Sequence, residues 1–330
     1  MLLGKNVTVF GGTGFVGNSV VNELSKAGYN TKVVVRRPER YREILMFPNA
    51  KIAQLDNFDN AEQLQAAIQG SDIVINLTVD RSTGFEMIEQ DALAETARKI
   101  KSAVEKAGVK RVLSLSQIGA NNDEPNSEWF GVLGEVDNMM HNVAKAESTI
   151  FKASLLIGEG DQTTQKYINQ LKRVDNWPVK FDVLPVAKSK TVVQPLWIKD
   201  FSVAMVAAIG NKDVFGKKLE IAGEERLTIK ELALLITEIM QRNTIVFGMC
   251  DLNAKIMAAL NHFAPIASVD KSQLFMLTKN LITDDDFSSQ FGFVPNSLEK
   301  TIAPYAVPGH VRQRLNYFRK EAGRNSNELV

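Results

Sequence analysis

The residues best suited to chemistry stand near the start of the chain. Gly11-Gly12-Thr13-Gly14-Phe15-Val16-Gly17 places glycines three apart, after the β-branched and aromatic run at 6–10 and before a helix-like stretch at 15–28 that ends on Gly28. A glycine triplet alone says little, but strand, loop and helix in this order are what a phosphate-gripping turn requires. Gly11 makes the tight turn, Gly14 lets the backbone approach a pyrophosphate, and Gly17 lets helix and strand pack closely. The helix start, with its unpaired N–H groups and positive dipole end, then faces the phosphate charge. The turn predicts a dinucleotide site, and a glycine turn without a ligand is the plain alternative.

The second apolar run ends in Val35-Arg36-Arg37. About twenty residues past such a loop, an NAD-selective protein presents Asp or Glu to the ribose hydroxyls. Two guanidinium groups here favour the extra phosphate of NADP, which Arg can grip with two hydrogen bonds, so NADP(H) is expected over NAD(H). The bland reading is a pair of solvated arginines at a strand end. Other chemistry is thin. No Ser/His/Asp set and no metal-ligand spacing appears, so no metal is expected, and the lone Cys250 allows neither a zinc cluster nor an intrachain disulfide. Glu135 and Asp137 read as the solvated face of a helix, and His141 as structural.

These residues need a scaffold of alternating strands and helices. Strands are expected at 6–10, 31–36, 50–56, 72–79 and 111–116, and helices at 15–28, 61–70 and 85–107. The run at 72–79 is apolar on both faces and suits a central parallel strand. The fold class is therefore α/β, a Rossmann-type doubly wound parallel sheet with a smaller C-terminal α/β lobe. The expected division is a binding domain at 1–158 and a smaller lobe at 159–310. A strand at 191–197 and a helix at 200–210 return to the first domain, and a basic tail follows at 311–330. A further strand is expected at 218–223. A helix at 227–241 opens on a Thr228/Glu231 capping box.

The glycine spacing, with Asp56 ending the third strand, Asn76-Leu77-Thr78 ending the fourth and Ser116 ending the fifth, resembles extended and atypical short-chain dehydrogenase/reductases. Residues 114–121, 146–162, 192–209 and 218–233 extend the likeness over roughly 1–305, toward the family of NAD(P)H-binding accessory subunits of respiratory complex I and their bacterial relatives. The resemblance implies that Asp56 meets the adenine amine and that Leu77, Thr78 and Val79 lie along the adenosine and ribose. It also implies that Ser116 faces the nicotinamide, and that the turn at Ala153 to Leu155 closes over the far end. Relatives commonly carry Arg-Pro where this chain has Lys152-Ala153. Active members carry Tyr, three residues, then Lys on the helix after the fifth strand. Those places fall here on Trp129 and Leu133, which cannot release a proton. No Tyr stands between Tyr41 and Tyr167, so a small shift of register restores nothing. No residue is thus assigned as catalytic, with Ser116 the one candidate kept open.

The composition bounds the rest. A net charge of +1 gives no field that would recruit nucleic acid, and 45% hydrophobic residues exclude a disordered chain. No run approaches the roughly 18 apolar residues of a membrane span. The N-terminus reads as a first strand and not as a signal peptide. A cytoplasmic setting is expected, with peripheral attachment at the inner face of a membrane left open. The apolar stretch at 244–268 is expected in a core, with a surface that docks on a membrane or a protein assembly as the alternative. The basic tail is compatible with anionic lipid or an acidic partner, and equally with a frayed, solvated chain end. The expected function is a dinucleotide-binding protein with a structural, accessory or sensing role. The alternative is an NADPH-dependent reductase or isomerase acting on an apolar or quinone-like substrate through a non-standard proton donor.

Overall fold

The computed structural model describes residues 4–81, 88–123, 128–174, 182–260 and 271–307. The basic tail, residues 261–268 of the apolar stretch, and the first part of the helix expected from 85 lie outside them. The described residues fall into two compact units. The first comprises the described residues within 4–155, 198–222 and 281–294, and the second those within 156–197, 223–280 and 295–307.

The first unit is built on a seven-stranded, wholly parallel sheet. Its strands in chain order are β1 (Asn6–Phe10), β2 (Asn30–Val35), β3 (Ala50–Gln54), β4 (Ile73–Asn76), β5 (Arg111–Gln117), β6 (Glu147–Ala153) and a last strand, Lys217–Ile221. In space they run last strand, β6, β5, β4, β1, β2, β3. Val7, Val9, Ile73, Val74, Ile75, Val112 and Leu113 are all buried, as a sheet covered on both faces requires. Helices α1 (Phe15–Lys26), α2 (Ala61–Ile68), α3 (Leu93–Ala107) and α4 (Glu128–His141) connect the strands. A further helix, Ile198–Ala207, packs on α1. Helix α3 starts at Leu93, later than its apolar pattern suggests, and ends on Gly108, whose φ of 68° supplies the left-handed stop.

One internal cation has a structural task. Arg111 is fully buried on β5, where its guanidinium donates to the carbonyls of Ala208, Ile209 and Glu147 and to Thr149 Oγ1. It thereby ties the end of the Ile198–Ala207 segment to the sheet.

The second unit carries short two-stranded pairings. Leu156–Ile157 pairs with Leu196–Trp197, Val192–Val193 with Leu227–Thr228, and Val183–Val186 with Ile245–Gly248. The strand expected at 191–197 is thus two short pieces, broken at Gln194-Pro195, since proline has no N–H to give a ladder. Both pieces pair within this unit, so the return to the first unit begins at Ile198 and not at 191. The capping box forms as expected: Thr228 Oγ1 accepts from Glu231 N–H at 3.1 Å, and Glu231 Oε2 accepts from Thr228 N–H at 2.7 Å. The apolar stretch from 244 departs from a core reading. Ile245, Phe247, Leu252 and Ile256 are exposed, and Ala254 alone of the helix Asp251–Leu260 is described as buried.

Candidate functional site

The chain runs outward from β1 to β2 and β3, then crosses back so that β4 lies on the other side of β1. This reversal opens a crevice at the carboxyl ends of the strands, the place where open α/β sheets receive ligands. The crevice encloses about 570 Å³, part of it open to solvent. Its walls come from four strand ends: Phe10, Gly11 and Thr13 after β1, Val34, Val35 and Arg36 at β2, Leu55, Asn57 and Phe58 after β3, and Leu77, Thr78, Asp80 and Ile88 after β4. Phe10 and Phe58, with ring centroids 6.0 Å apart, form part of the apolar wall.

The glycines are set by close approach. Gly11 has a φ of 74°, and a Cβ there would stand 2.7 Å from the Leu77 carbonyl oxygen. At Gly17 a Cβ would lie 2.1 Å from the Gly11 carbonyl oxygen, so helix α1 sits directly on the turn. After β4, Asn76 Oδ1 accepts from Thr78 Oγ1 at 2.8 Å and from Thr78 N–H at 3.3 Å, while its amide donates to Ser114 Oγ. Beside these bonds Leu77 and Thr78 line the crevice, and Val79 is buried.

One contact carries no signal in the glycine motif. Asp80 Oδ2 accepts from Val16 N–H at 3.0 Å, at the first turn of α1. The same oxygen lies 2.4 Å from where a Cβ of Gly14 would be.

Of the residues singled out from sequence, Gly11, Thr13, Arg36, Leu77 and Thr78 share the crevice. Gly14, Phe15, Val16 and Gly17 form the adjoining turn and first helical residues. Arg37 is exposed just before a short 3₁₀ turn, Pro38–Arg40. Asp56 is exposed, and its carboxylate accepts from Gln54 at 2.8 Å and Gln63 at 2.9 Å, bonds that hold its pKa below the usual range. Ser116, Ala153 and Leu155 lie at the ends of β5 and β6, outside the lining of this crevice.

Helix α4 packs on β5 with Trp129 and Leu133 inside. Trp129 is 2% exposed, and its indole N–H donates to Gln117 Oε1 at 2.7 Å, while the Arg81 guanidinium stands 4.9 Å from the ring centre. Leu133 is fully buried.

Asp137 requires a correction. It was expected on a solvated face, as Glu135 indeed is, yet it is only 1% exposed. Its neighbours are the Ser116 hydroxyl and, 3.9 Å away, the ammonium of Lys152, which stands opposite Ser116 in the β5–β6 register. Neither Ser116 Oγ nor either Asp137 oxygen makes a well-formed hydrogen bond among the described residues. Burial pushes the Asp137 carboxyl up to about 7, against the opposing pull of Ser116, Lys152 and Lys218. The apolar spacing of Leu133, Val136 and Met140 puts residue 137 on the inner face, a signal that was available in the sequence.

The turn, the crevice and the parallel sheet define a dinucleotide-binding protein of Rossmann type. Residues 11–155 match the protein family described as NAD(P)H-binding, so the chain carries an NAD(P)H-binding domain. Over most of its length it is similar to proteins named NADH dehydrogenase [ubiquinone] 1 alpha subcomplex subunit 9, mitochondrial. It shares 26% identity with the Arabidopsis thaliana protein, covering 95% of this chain and 78% of the relative, and 25% with that of Rattus norvegicus, covering 90% and 78%. In fold it is similar to an NADPH-dependent quinone oxidoreductase from Escherichia coli, solved with NADPH, with a TM-score of 0.69 at 17% identity over 90% of this chain and 98% of that one. It is also similar to a UDP-glucose 4-epimerase from Thermotoga maritima, with a TM-score of 0.66 at 16% identity over 96% and 99%. The α/β reading and the resemblance to short-chain dehydrogenase/reductases both stand. No described helix is long and apolar enough to cross a membrane, and no described group of His, Cys, Asp and Glu could hold a metal ion.

Proposed function

We propose that this chain is an NADP(H)-binding accessory protein that holds its dinucleotide as a structural or sensing element of a larger assembly and does not turn it over by the usual reductase route. The observation that carries the binding half is Arg36 in the wall of the crevice beside Gly11 and Thr13. A guanidinium there pairs with a 2′-phosphate, and an acidic residue, which would repel it, is missing from that strand end. In this reading Gly14 to Gly17 grip the pyrophosphate, Leu77, Thr78 and Val79 line the adenosine and ribose, Arg37 assists Arg36, and Asp56 borders the adenine. Ser116, Ala153 and Leu155 bound the nicotinamide end.

The non-catalytic half rests on Trp129 and Leu133, which stand where active relatives place Tyr and Lys. One is committed to Gln117 and the other has no polar atom. The accessory role draws on the curated relatives, whose names make them subunits of an NADH dehydrogenase. It also draws on the exposed Ile245, Phe247, Leu252 and Ile256, an apolar surface suited to a protein assembly or the inner face of a membrane.

Calorimetry with NADPH and NADH tests the binding half. NADPH should bind more tightly, and Arg36→Ala should remove about ten-fold of that preference while leaving NADH unchanged. Equal affinities in the parent chain would refute it. The non-catalytic half fails if the protein oxidises NADPH with a quinone at a reductase-like rate that Trp129→Ala abolishes.

A second reading, a reductase with another proton donor, is favoured by the buried Ser116–Asp137 pair. Steady NADPH oxidation that is lost in both Ser116→Ala and Asp137→Asn would support it over the first.

A further inference from the structure

The N–H groups that open α1 are the natural anion donors of the turn, and a carboxylate from this chain already sits on them. Asp80, four residues past β4, reaches back to accept from Val16 N–H at 3.0 Å. It also fills the space over Gly14 with its Oδ2, 2.4 Å from the place a Cβ would take. That space is what the missing side chain of Gly14 leaves for a phosphate oxygen. The carboxylate therefore uses a donor and fills a space of the kind a pyrophosphate oxygen would take, and it carries the same sign of charge. The match of residues 11–155 to the family described as NAD(P)H-binding adds, to the geometry of the turn, a second reason to read this helix start as a nucleotide position.

We propose that Asp80 is an internal occupant of the phosphate cradle, displaced when a dinucleotide binds, so that this one carboxylate sets the affinity of the crevice. The inference rests on the dinucleotide reading above and adds a residue that weakens binding to those that favour it. A dinucleotide must break a charge-assisted hydrogen bond and bring its own negative charge close to the displaced group. Adenosine carries no phosphate and need not disturb Asp80.

The test is titration of the full-length chain and of the Asp80→Asn and Asp80→Ala variants with NADPH, and separately with adenosine. Asp80→Asn keeps the shape and removes the charge, and Asp80→Ala empties the space. Both should bind NADPH about ten-fold more tightly than the parent chain, with adenosine affinity unchanged within about two-fold. The gain for Asp80→Asn should shrink in high salt, which screens the repulsion. NADPH affinity unchanged or weakened in both variants, with adenosine still bound, overturns the proposal and leaves the dinucleotide reading standing. Failure of all three proteins to bind NADPH overturns both.

Discussion

Asp137→Asn isolates the consequence of burying a carboxyl beside Ser116. The folded state holds this group with a pKa of about 7, and its ordinary value is 3.8. Between those values the folded chain keeps a proton that the unfolded chain has released, so stability falls as pH rises from about 4 to about 7 and is level beyond. A tenfold change in proton affinity is worth about 1.4 kcal/mol, which makes the loss on the order of a few kcal/mol across the window. The groups that face Asp137 are the Ser116 hydroxyl on β5, Lys152 on β6 and Lys218 on the last strand. His141 on its own helix has a pKa lowered by burial and by Lys218. Asparagine copies the protonated acid and cannot titrate, and Lys152 still donates to the Ala120 carbonyl at 2.9 Å. Urea unfolding of both proteins, followed by circular dichroism at pH 5, 6, 7 and 8, cancels the other titrations in the difference. The variant should match the parent only near pH 4 and below, with the difference growing through pH 5 and 6 to a few kcal/mol at pH 8. A difference that does not change with pH would show that Asp137 is not held protonated, and the account of its burial would fail.

Gly17→Ala should destabilise the first unit by roughly 1–3 kcal/mol, because its methyl group meets the Gly11 carbonyl, and NADPH binding should weaken at least in step. An unaltered melting temperature and an unaltered affinity together would contradict the packing argument. Trp129→Phe keeps the ring and removes the indole N–H, leaving Gln117 Oε1 without that donor, so denaturant unfolding should show a loss of about 1–3 kcal/mol. The double change Leu252→Ser, Ile256→Ser on the exposed helix should leave folding and NADPH affinity intact while reducing recovery with membranes or a partner complex. Equal recovery would remove this surface from the assembly reading.

The parts readable from the chain were those where one residue type is physically required. Gly11 needs a positive φ and Gly17 tolerates no Cβ, so the turn could be placed from its letters alone. The strand at 73–76 lies in a run that is apolar on both faces, which a central position accommodates. The grip of Asp80 on Val16 joins residues 64 apart, and nothing local distinguishes it from any acid after a strand. The seating of 192–193 and 196–197 in the second unit depends on partners at 227–228 and 156–157, which strand propensity does not name. The exposure of Ile245 and Phe247 was hidden for a related reason: apolar composition tells that a face must be covered, not by what.

In the accessory reading, dinucleotide grip and proton transfer depend on different kinds of structure, so that one could persist without the other. The grip uses backbone N–H groups and space left by absent side chains. Gly17 lies inside a helix, where glycine costs up to about 1 kcal/mol against alanine, and the close approach of Gly11 and Gly12 is the compensating reason for its presence. Proton transfer would need an ionisable group that can reach the ligand. Trp129 and Leu133 sit on the buried face of α4, where their burial helps to hold the helix on β5. A polar group placed at Leu133 would have to be desolvated there, at a cost that only a bound partner could offset. Trp129→Tyr with Leu133→Lys should therefore lower the melting temperature of the chain before it adds any NADPH turnover, and the turn at Gly11 should be unaffected.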